Sequence, residues 1–281
     1  MPELAEVEQS RRIWSAGVGE KVLEVIVPRP RDRVFRGVVV SHLKNALTGK
    51  IFLDSETRGK QMLFRFGKSG TAWLGLHLGM AGGLRTESDL LEIRKHDLLV
   101  LRQARRCLFF SDRRHLGRVL FHQGEVAPVW WTRLPPPILS DAFDRDTVAA
   151  FLRRHKSAPL KAVLLMQERF PGIGNWMADE ILWRSHLHPA IRGRSLSSRQ
   201  ITTLHRTTRQ VSAAAIEAMN EHWEYPETWL FAHRWEDGGR CPKCHSDLKR
   251  SIIGGRRTCL CPKCQKGEGE PPKTAKQSRG S

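Results

Sequence analysis

Cys241-Pro242-Lys243-Cys244, separated by sixteen residues from Cys261-Pro262-Lys263-Cys264, decides how the end of this chain folds. Two Cys-x-x-Cys pairs supply four thiolates, the set a closed tetrahedral zinc site uses. Between them Gly254-Gly255 marks a turn with β-compatible residues on both sides, which predicts a zinc-ribbon hairpin. So small a fold depends on its metal. One structural Zn2+ is therefore expected on Cys241, Cys244, Cys261 and Cys264; redox or iron–sulfur chemistry is the alternative. Cys259, two residues before Cys261, is a competing donor, whereas Cys107 reads as a buried, inert thiol. The hairpin carries Lys249, Arg250, Arg256 and Arg257, so the metal is expected to mount cations for phosphate. A protein-interaction finger is the other reading.

The rest of the chain shares this charge. Over 281 residues, 47 Lys and Arg against 29 Asp and Glu give a formal +18. Such an excess favours a polyanionic partner. Because the basic residues are spread along the chain, they suggest a working surface rather than an appended tail. A ribosome-associated or membrane-surface protein also fits the charge alone. Met1 to Glu8 hold three acidic residues and no basic stretch, so no secretory leader is read. No run approaches the ~20 apolar residues of a membrane helix, and no membrane role is expected. Five of the six cysteines crowd between Cys241 and Cys264, unlike a disulfide framework, so a reducing cytoplasm is expected. The absence of a phosphate-cradling P-loop or catalytic metal motif argues against an ATPase or nuclease and against a nucleotide cofactor.

Working towards the N-terminus, the texture changes twice. Arg145–Arg154, Leu160–Gln167, Asn175–Ser185 and Ser198–Asn220 read as helices, with Asp144 and Ser197 as start signals. Leu134-Pro135-Pro136-Pro137 breaks the chain and marks a domain boundary. Before it, Val22–Val27, Val38–Leu43, Lys50–Asp54, Gln61–Phe66, Thr71–Leu78, Leu98–Leu101, Leu108–Phe110 and Val119–Phe121 read as short strands. Gly67-Lys68-Ser69-Gly70 reads as a hairpin turn. Many short strands imply a sandwich or barrel. Glu3–Ser15 reads as an amphipathic helix through Leu4, Val7 and Trp14. The expectation is a multidomain α+β chain: 1–133, strand-rich; 138–235, helical; 236–266, the finger; and 267–281, a disordered basic tail.

Three separated segments point one way. Pro2-Glu3-Leu4-Ala5-Glu6-Val7-Glu8 opens the chain, Phe170-Pro171-Gly172-Ile173-Gly174-Asn175 opens a helix, and the four-cysteine finger closes it. In that order they resemble the formamidopyrimidine-DNA glycosylase/endonuclease VIII family from Pro2 to about Lys266. The resemblance implies an N-terminal β-sandwich, a helix-two-turn-helix domain and a zinc finger. It also implies base-excision repair of double-stranded damaged DNA by a monomeric glycosylase and abasic-site lyase, associated with the nucleoid. A damage-binding relative with little catalysis, and an unrelated zinc-ribbon nucleic-acid-binding protein, are the competing readings.

Once Met1 is removed, Pro2 carries a secondary amine able to form an iminium with a carbonyl-like carbon. The resemblance implies attack on C1′ of the damaged nucleotide, with Glu3 as proton donor at the sugar and Glu6 as a supporting carboxylate. Glu3 and Glu6, three apart, share one helix face. By the same resemblance Lys60 contacts phosphate and assists elimination, Arg256 serves the second elimination, and Asn175 binds phosphate while serving as a candidate helix N-cap. Met80 corresponds to a void-filling methionine. Asp112-Arg113-Arg114-His115-Leu116-Gly117 corresponds to the family's Asp-Pro-Arg-Arg-Phe-Gly loop, making Arg114 the opposite-base probe and Leu116 the wedge. His96 and Lys156 match backbone contacts.

The chain departs from the pattern in that loop, where Arg113, His115 and Leu116 replace Pro, Arg and Phe, and at Ala5, which replaces a common Pro. Leu116 fills space but does not stack as a ring does. The segment before Cys241 is short compared with the branch that covers 8-oxoguanine with a flexible loop, so preference for that base is not expected.

Overall fold

Met62, Phe64 and Phe66 alternate with Leu63 and Arg65, and this period of two builds the first half of the chain. A computed structural model describes residues 1–67, 72–88, 92–235 and 237–266. It divides the chain into two units, 1–137 with 219–221 and 138–218 with 222–281. The expected turn at Gly67-Lys68-Ser69-Gly70 lies outside the described residues from Lys68 onward, and the expected tail from 267 lies wholly outside them.

The first unit runs α1 (Leu4–Ser15), β1 (Glu24–Ile26), α2 (Val40–Leu47), β2 (Phe52–Arg58), β3 (Gln61–Phe66) and β4 (Ala72–His77). It continues with β5 (Gly82–Ser88), β6 (Asp97–Arg102), β7 (Arg106–Asp112), β8 (Arg118–Gln123) and α3 (Val129–Thr132). Two four-stranded antiparallel sheets result, ordered β1-β6-β7-β5 and β2-β3-β4-β8. Met62, Phe64, Leu74 and Leu76 from one sheet share a core with Leu99, Leu101, Leu108 and Phe110 from the other, as a sandwich requires. Each such side chain contributes about 1.5–3 kcal/mol of burial. Leu63 and Trp73 point the opposite way and are covered by Trp131 of α3. Val7 and Trp14 anchor α1 in the shared core, and the Trp14 indole N–H donates to the Phe109 carbonyl at 3.2 Å.

Two expectations fail here. Val38–Leu43 was expected as a strand from its valine run, but Val40–Leu47 is helical. Leu43 and Leu47, four apart, are both fully buried, so tertiary burial at helical spacing overrides β propensity. The strand Gly82–Ser88 had no expectation at all, because two glycines and four polar or charged residues hide it. Full pairing along β7 holds it, and Arg85 stacks 3.8 Å from the Phe109 ring centroid while binding Asp97.

The second unit comprises α4 (Arg145–Arg154), α5 (Leu160–Leu164), α6 (Asn175–Arg184), most of α7 (Ser198–Glu221), α8 (Leu230–His233), β9 (Lys249–Ile253) and β10 (Arg256–Leu260). Asp144 and Ser197 are the N-caps of α4 and α7, each accepting an amide from inside its helix. At α6 the N-cap is Gly174, and Asn175 is the first helical residue. This corrects the expected cap: the glycine supplies the extended backbone and frees the Asn175 side chain. No helix among the described residues is long and apolar enough to cross a membrane.

Candidate active site and metal centre

In the first unit, α1 runs alongside β2 in a fixed direction. Arg11 Nη1 donates to Ser55 Oγ at 3.0 Å, and Thr57 Oγ1 donates to Glu8 Oε2 at 2.8 Å. Moving back along the helix therefore means moving forward along the strand, so the start of α1 is directed towards the Gly59-Lys60 turn joining β2 and β3. The first turn of α1 therefore lies towards the end of β2, where Arg58 is the last strand residue and Gly59-Lys60 turns the chain into β3. Glu3 caps α1 through a reciprocal box: its side chain accepts the Glu6 amide, and the Glu6 carboxylate accepts the Glu3 amide at 2.9 Å. Glu3 is only 2% exposed, so its carboxyl is held in a buried position immediately after Pro2, which is half-buried. Glu6 thereby acquires a definite local task.

Strand register carries the site onward. Gln61, next to Lys60, pairs with His77, and His77 pairs with Arg118. No role is assigned to His77 from the sequence, although it stands only three residues before Met80. Burial holds its pKa below the usual histidine value, and the charges of Lys60 and Arg118 lower it further. Its Nδ1 accepts the Gly79 amide at 3.1 Å, which leaves the proton on Nε2. His77, Gln61, Arg33, Arg36, Arg118 and Leu116 are among the residues lining a cavity of about 610 Å³ to whose wall no carboxylate contributes among the described residues. Register across β3, β4 and β8 brings Gln61, His77 and Arg118 together, and no local motif announces it.

Gly79 joins this cavity to Met80 and Leu116. A Cβ there would sit 2.5 Å from the Leu116 carbonyl carbon, and the residue adopts φ +62°, so only glycine allows this approach. The turn holding Met80 therefore lies directly against the Asp112–Gly117 loop. Met80 is 43% exposed and Leu116 41%, so both are surface apolar groups rather than core filling. Arg114 is exposed in the same loop. His96 adjoins it too: its carbonyl accepts the Asp112 amide at 3.0 Å, and its buried Nδ1 has no hydrogen-bond partner among the described residues.

In the second unit, Gly254 and Gly255 both take positive φ, +59° and +75°, which a two-residue I′ hairpin demands. This places Arg256, exposed, just beyond the tip at the start of β10. The Asn175 side-chain amide donates to the Arg257 carbonyl at 2.9 Å, so Asn175 and the Arg256 hairpin are adjacent. Lys156 stands apart from them, exposed in the turn after α4.

The four cysteines converge. Their Sγ atoms all lie within 4.8 Å of one another, with separations of 3.9 Å for Cys241–Cys264 and 3.5 Å for both Cys244–Cys261 and Cys244–Cys264. Four thiolates about 2.3 Å from one tetrahedral ion stand ~3.8 Å apart. The donor set therefore fits a closed metal site, and none of its members is in a disulfide. Cys259 is not in the group. It is buried beside Trp183 and Leu230, where burial, with help from the Asp179 charge, pushes its thiol up to about 11.

Residues 1–119 match the formamidopyrimidine-DNA glycosylase N-terminal domain, and residues 134–225 match the H2TH domain of the same enzymes. The formamidopyrimidine-DNA glycosylase of Thermus thermophilus is 34% identical over 96% of this chain and 100% of its own. The chain belongs to the formamidopyrimidine-DNA glycosylase family. The Arabidopsis thaliana member is 27% identical over 99% of this chain and 74% of its own length. Among solved structures, the Lactococcus lactis glycosylase in complex with abasic-site DNA superposes with a TM-score of 0.82 at 27% identity, over 94% of this chain and all of that one. The same enzyme with DNA containing an oxidised pyrimidine gives 0.81, again at 27% identity, over 95% of this chain and 100% of that one. Within this glycosylase fold the segment before Cys241 is folded back onto α6. Trp176 lies 4.5 Å from Tyr225 and 5.0 Å from Phe231 between ring centroids, and Tyr225 stacks on Trp229 at 5.5 Å.

Proposed function

We propose that this glycosylase forms its covalent intermediate through the amine of Pro2, exposed by removal of Met1. The family assignment makes the chain a base-excision-repair DNA glycosylase and abasic-site lyase. The observation that supports the nucleophile is the buried Glu3 carboxyl, fixed beside Pro2 by its reciprocal bonds with Glu6. The Pro2 nitrogen attacks C1′, the glycosidic bond breaks, and the base leaves with its bonding electrons and a proton. Glu3, near enough to exchange a proton with the sugar, assists ring opening to the iminium. Loss of a C2′ proton then expels the 3′ phosphate, and a second elimination expels the 5′ phosphate. Lys60, His77, Asn175 and Arg256 are assigned to the phosphates, with Lys60 and Arg256 assisting the eliminations. His96 and Lys156 are assigned to the DNA backbone away from the lesion. Met80 and Leu116 are assigned to the gap left by the extruded nucleotide, and Arg114 to the base opposite.

The partner is double-stranded DNA carrying a damaged base, bound by a monomer in a reducing cytoplasm. The four cysteines hold one zinc ion, whose part is structural: it fixes the hairpin that presents Arg256. Titrating the protein with a mercurial in the presence of a zinc indicator is expected to release one equivalent per chain; no release, or a coloured iron signal, rejects zinc.

Borohydride added to the protein with an abasic-site duplex is expected to give a covalent adduct that survives denaturation. Duplexes carrying formamidopyrimidine, oxidised pyrimidine or 8-oxoguanine then rank the substrates, with 8-oxoguanine expected below the others. A folded, demethionylated protein that binds these duplexes yet traps none of them is a damage-binding relative instead.

A further inference from the structure

The Asp112–Gly117 loop joins β7 to β8, and its two ends are fixed by its own first residue. The fully buried Asp112 carboxylate accepts the Arg114 amide at 2.9 Å and the Gly117 amide at 2.6 Å. The middle of the loop is held from elsewhere. Arg33 donates Nη2–H to the Arg114 carbonyl at 2.7 Å and Nε–H to the His115 carbonyl, so one guanidinium spans two consecutive peptide groups. Asp32 Oδ2 lies 2.6 Å from His115 Nδ1, and Asp32 Oδ1 accepts the Val34 amide at 3.1 Å. Val34 and Phe35, which follow, are buried in the sandwich core. The outer clamp is therefore rooted in the buried core of the unit.

His115 itself adopts φ +53°, a left-handed conformation that a non-glycine residue keeps only when its surroundings over-determine it. The surroundings do so here by gripping both its carbonyl and its ring. Pinning His115 to Asp32 leaves its two neighbours, Arg114 and Leu116, on the exposed side of the loop. His115 is also one of the positions where this chain departs from the Asp-Pro-Arg-Arg-Phe-Gly pattern, so the Asp32 contact belongs to the departure.

We propose that Asp32 and Arg33 are positioning residues that set opposite-base selectivity by holding the Arg114–Leu116 segment in its exposed geometry. The proposal rests on the assignment of Arg114 to the opposite base. An arginine discriminates between bases by placing its donors against particular acceptors, and a probe on a loosened loop loses that registration. Arg33 cannot be replaced by a lysine without loss, because an ammonium does not bridge two carbonyls as a planar fork does.

The test compares kcat/KM for release of formamidopyrimidine placed opposite cytosine and opposite adenine. Arg33→Ala, Arg33→Lys and Asp32→Asn are each expected to bring the ratio closer to one by about threefold or more, with Arg33→Lys the mildest. Arg114→Ala is the reference and is expected to collapse the ratio furthest. If Arg114→Ala collapses it while Arg33→Lys and Asp32→Asn leave it unchanged, the clamp is overturned and the probe assignment stands. If Arg114→Ala itself leaves the ratio unchanged, the probe assignment fails and the proposal with it. Should Arg33→Ala fail to fold, the two conservative variants decide. A general loss of activity with a constant ratio is the signature of mere structural damage and also overturns the proposal.

Discussion

Extending the chain by even one residue ahead of Pro2 is expected to reduce borohydride trapping on an abasic-site duplex to background. The extension turns the proline nitrogen into a tertiary amide, whose lone pair is delocalised into the carbonyl and unavailable for attack on C1′. The rest of the site survives. The Glu3–Glu6 box is local to the first turn of α1, Lys60 sits in the turn closing the paired strands β2 and β3, and His77 is positioned by strand pairing. Salt-dependent binding to a stable abasic analogue should therefore be retained, since it draws on cations that the extension leaves in place. Pro2→Gly, which keeps a free amine, is expected to trap weakly rather than not at all. Undiminished trapping by the extended protein would assign the nucleophile elsewhere.

Asp179→Ala is expected to destabilise the second unit by about 3–5 kcal/mol. Asp179 is fully buried and accepts from the Lys161 ammonium, the Arg234 guanidinium at 2.6 Å and the Cys259 amide at 3.1 Å. Removing it leaves two cations in the interior, and Lys161 has no exposed side-chain surface from which to reach water. In a unit of this size the loss corresponds to a fall in Tm of about 6–20 °C by calorimetry. Asp179→Asn keeps an acceptor while losing the charge and should fall between. A change below about 1 kcal/mol for the alanine variant would mean that the cations find other partners, and the hub reading would be wrong.

Local chemistry explains which parts of this molecule were legible in the sequence. The convergence of the four cysteines was, because two Cys-x-x-Cys pairs on one hairpin are a local spacing. The caps Asp144 and Ser197 were, because capping is an interaction over three residues. α2 was misread because Val38-Val39-Val40 carries β propensity while the deciding burial of Leu43 and Leu47 is tertiary. The strand Gly82–Ser88 was invisible because its partners lie on another strand. At the candidate site, the resemblance supplied Pro2, Glu3, Lys60 and Arg256, but not the company they keep. His77 beside Lys60 depends on strand register, and the grip of Asp32 and Arg33 on the Asp112–Gly117 loop spans about eighty residues. Neither leaves a mark in any short window of sequence.

The finger's attachment bears on how these proteins are re-engineered. Its hairpin is tied to the helical domain at three points: Gly254 packs on Ala162, the Arg257 carbonyl accepts from Asn175, and the Cys259 amide donates to Asp179. The four-cysteine segment is therefore not an interchangeable cartridge. A chimera that grafts another finger after residue 240 inherits a socket cut for this one, and Ala162, Asn175 and Asp179 have to travel with the graft.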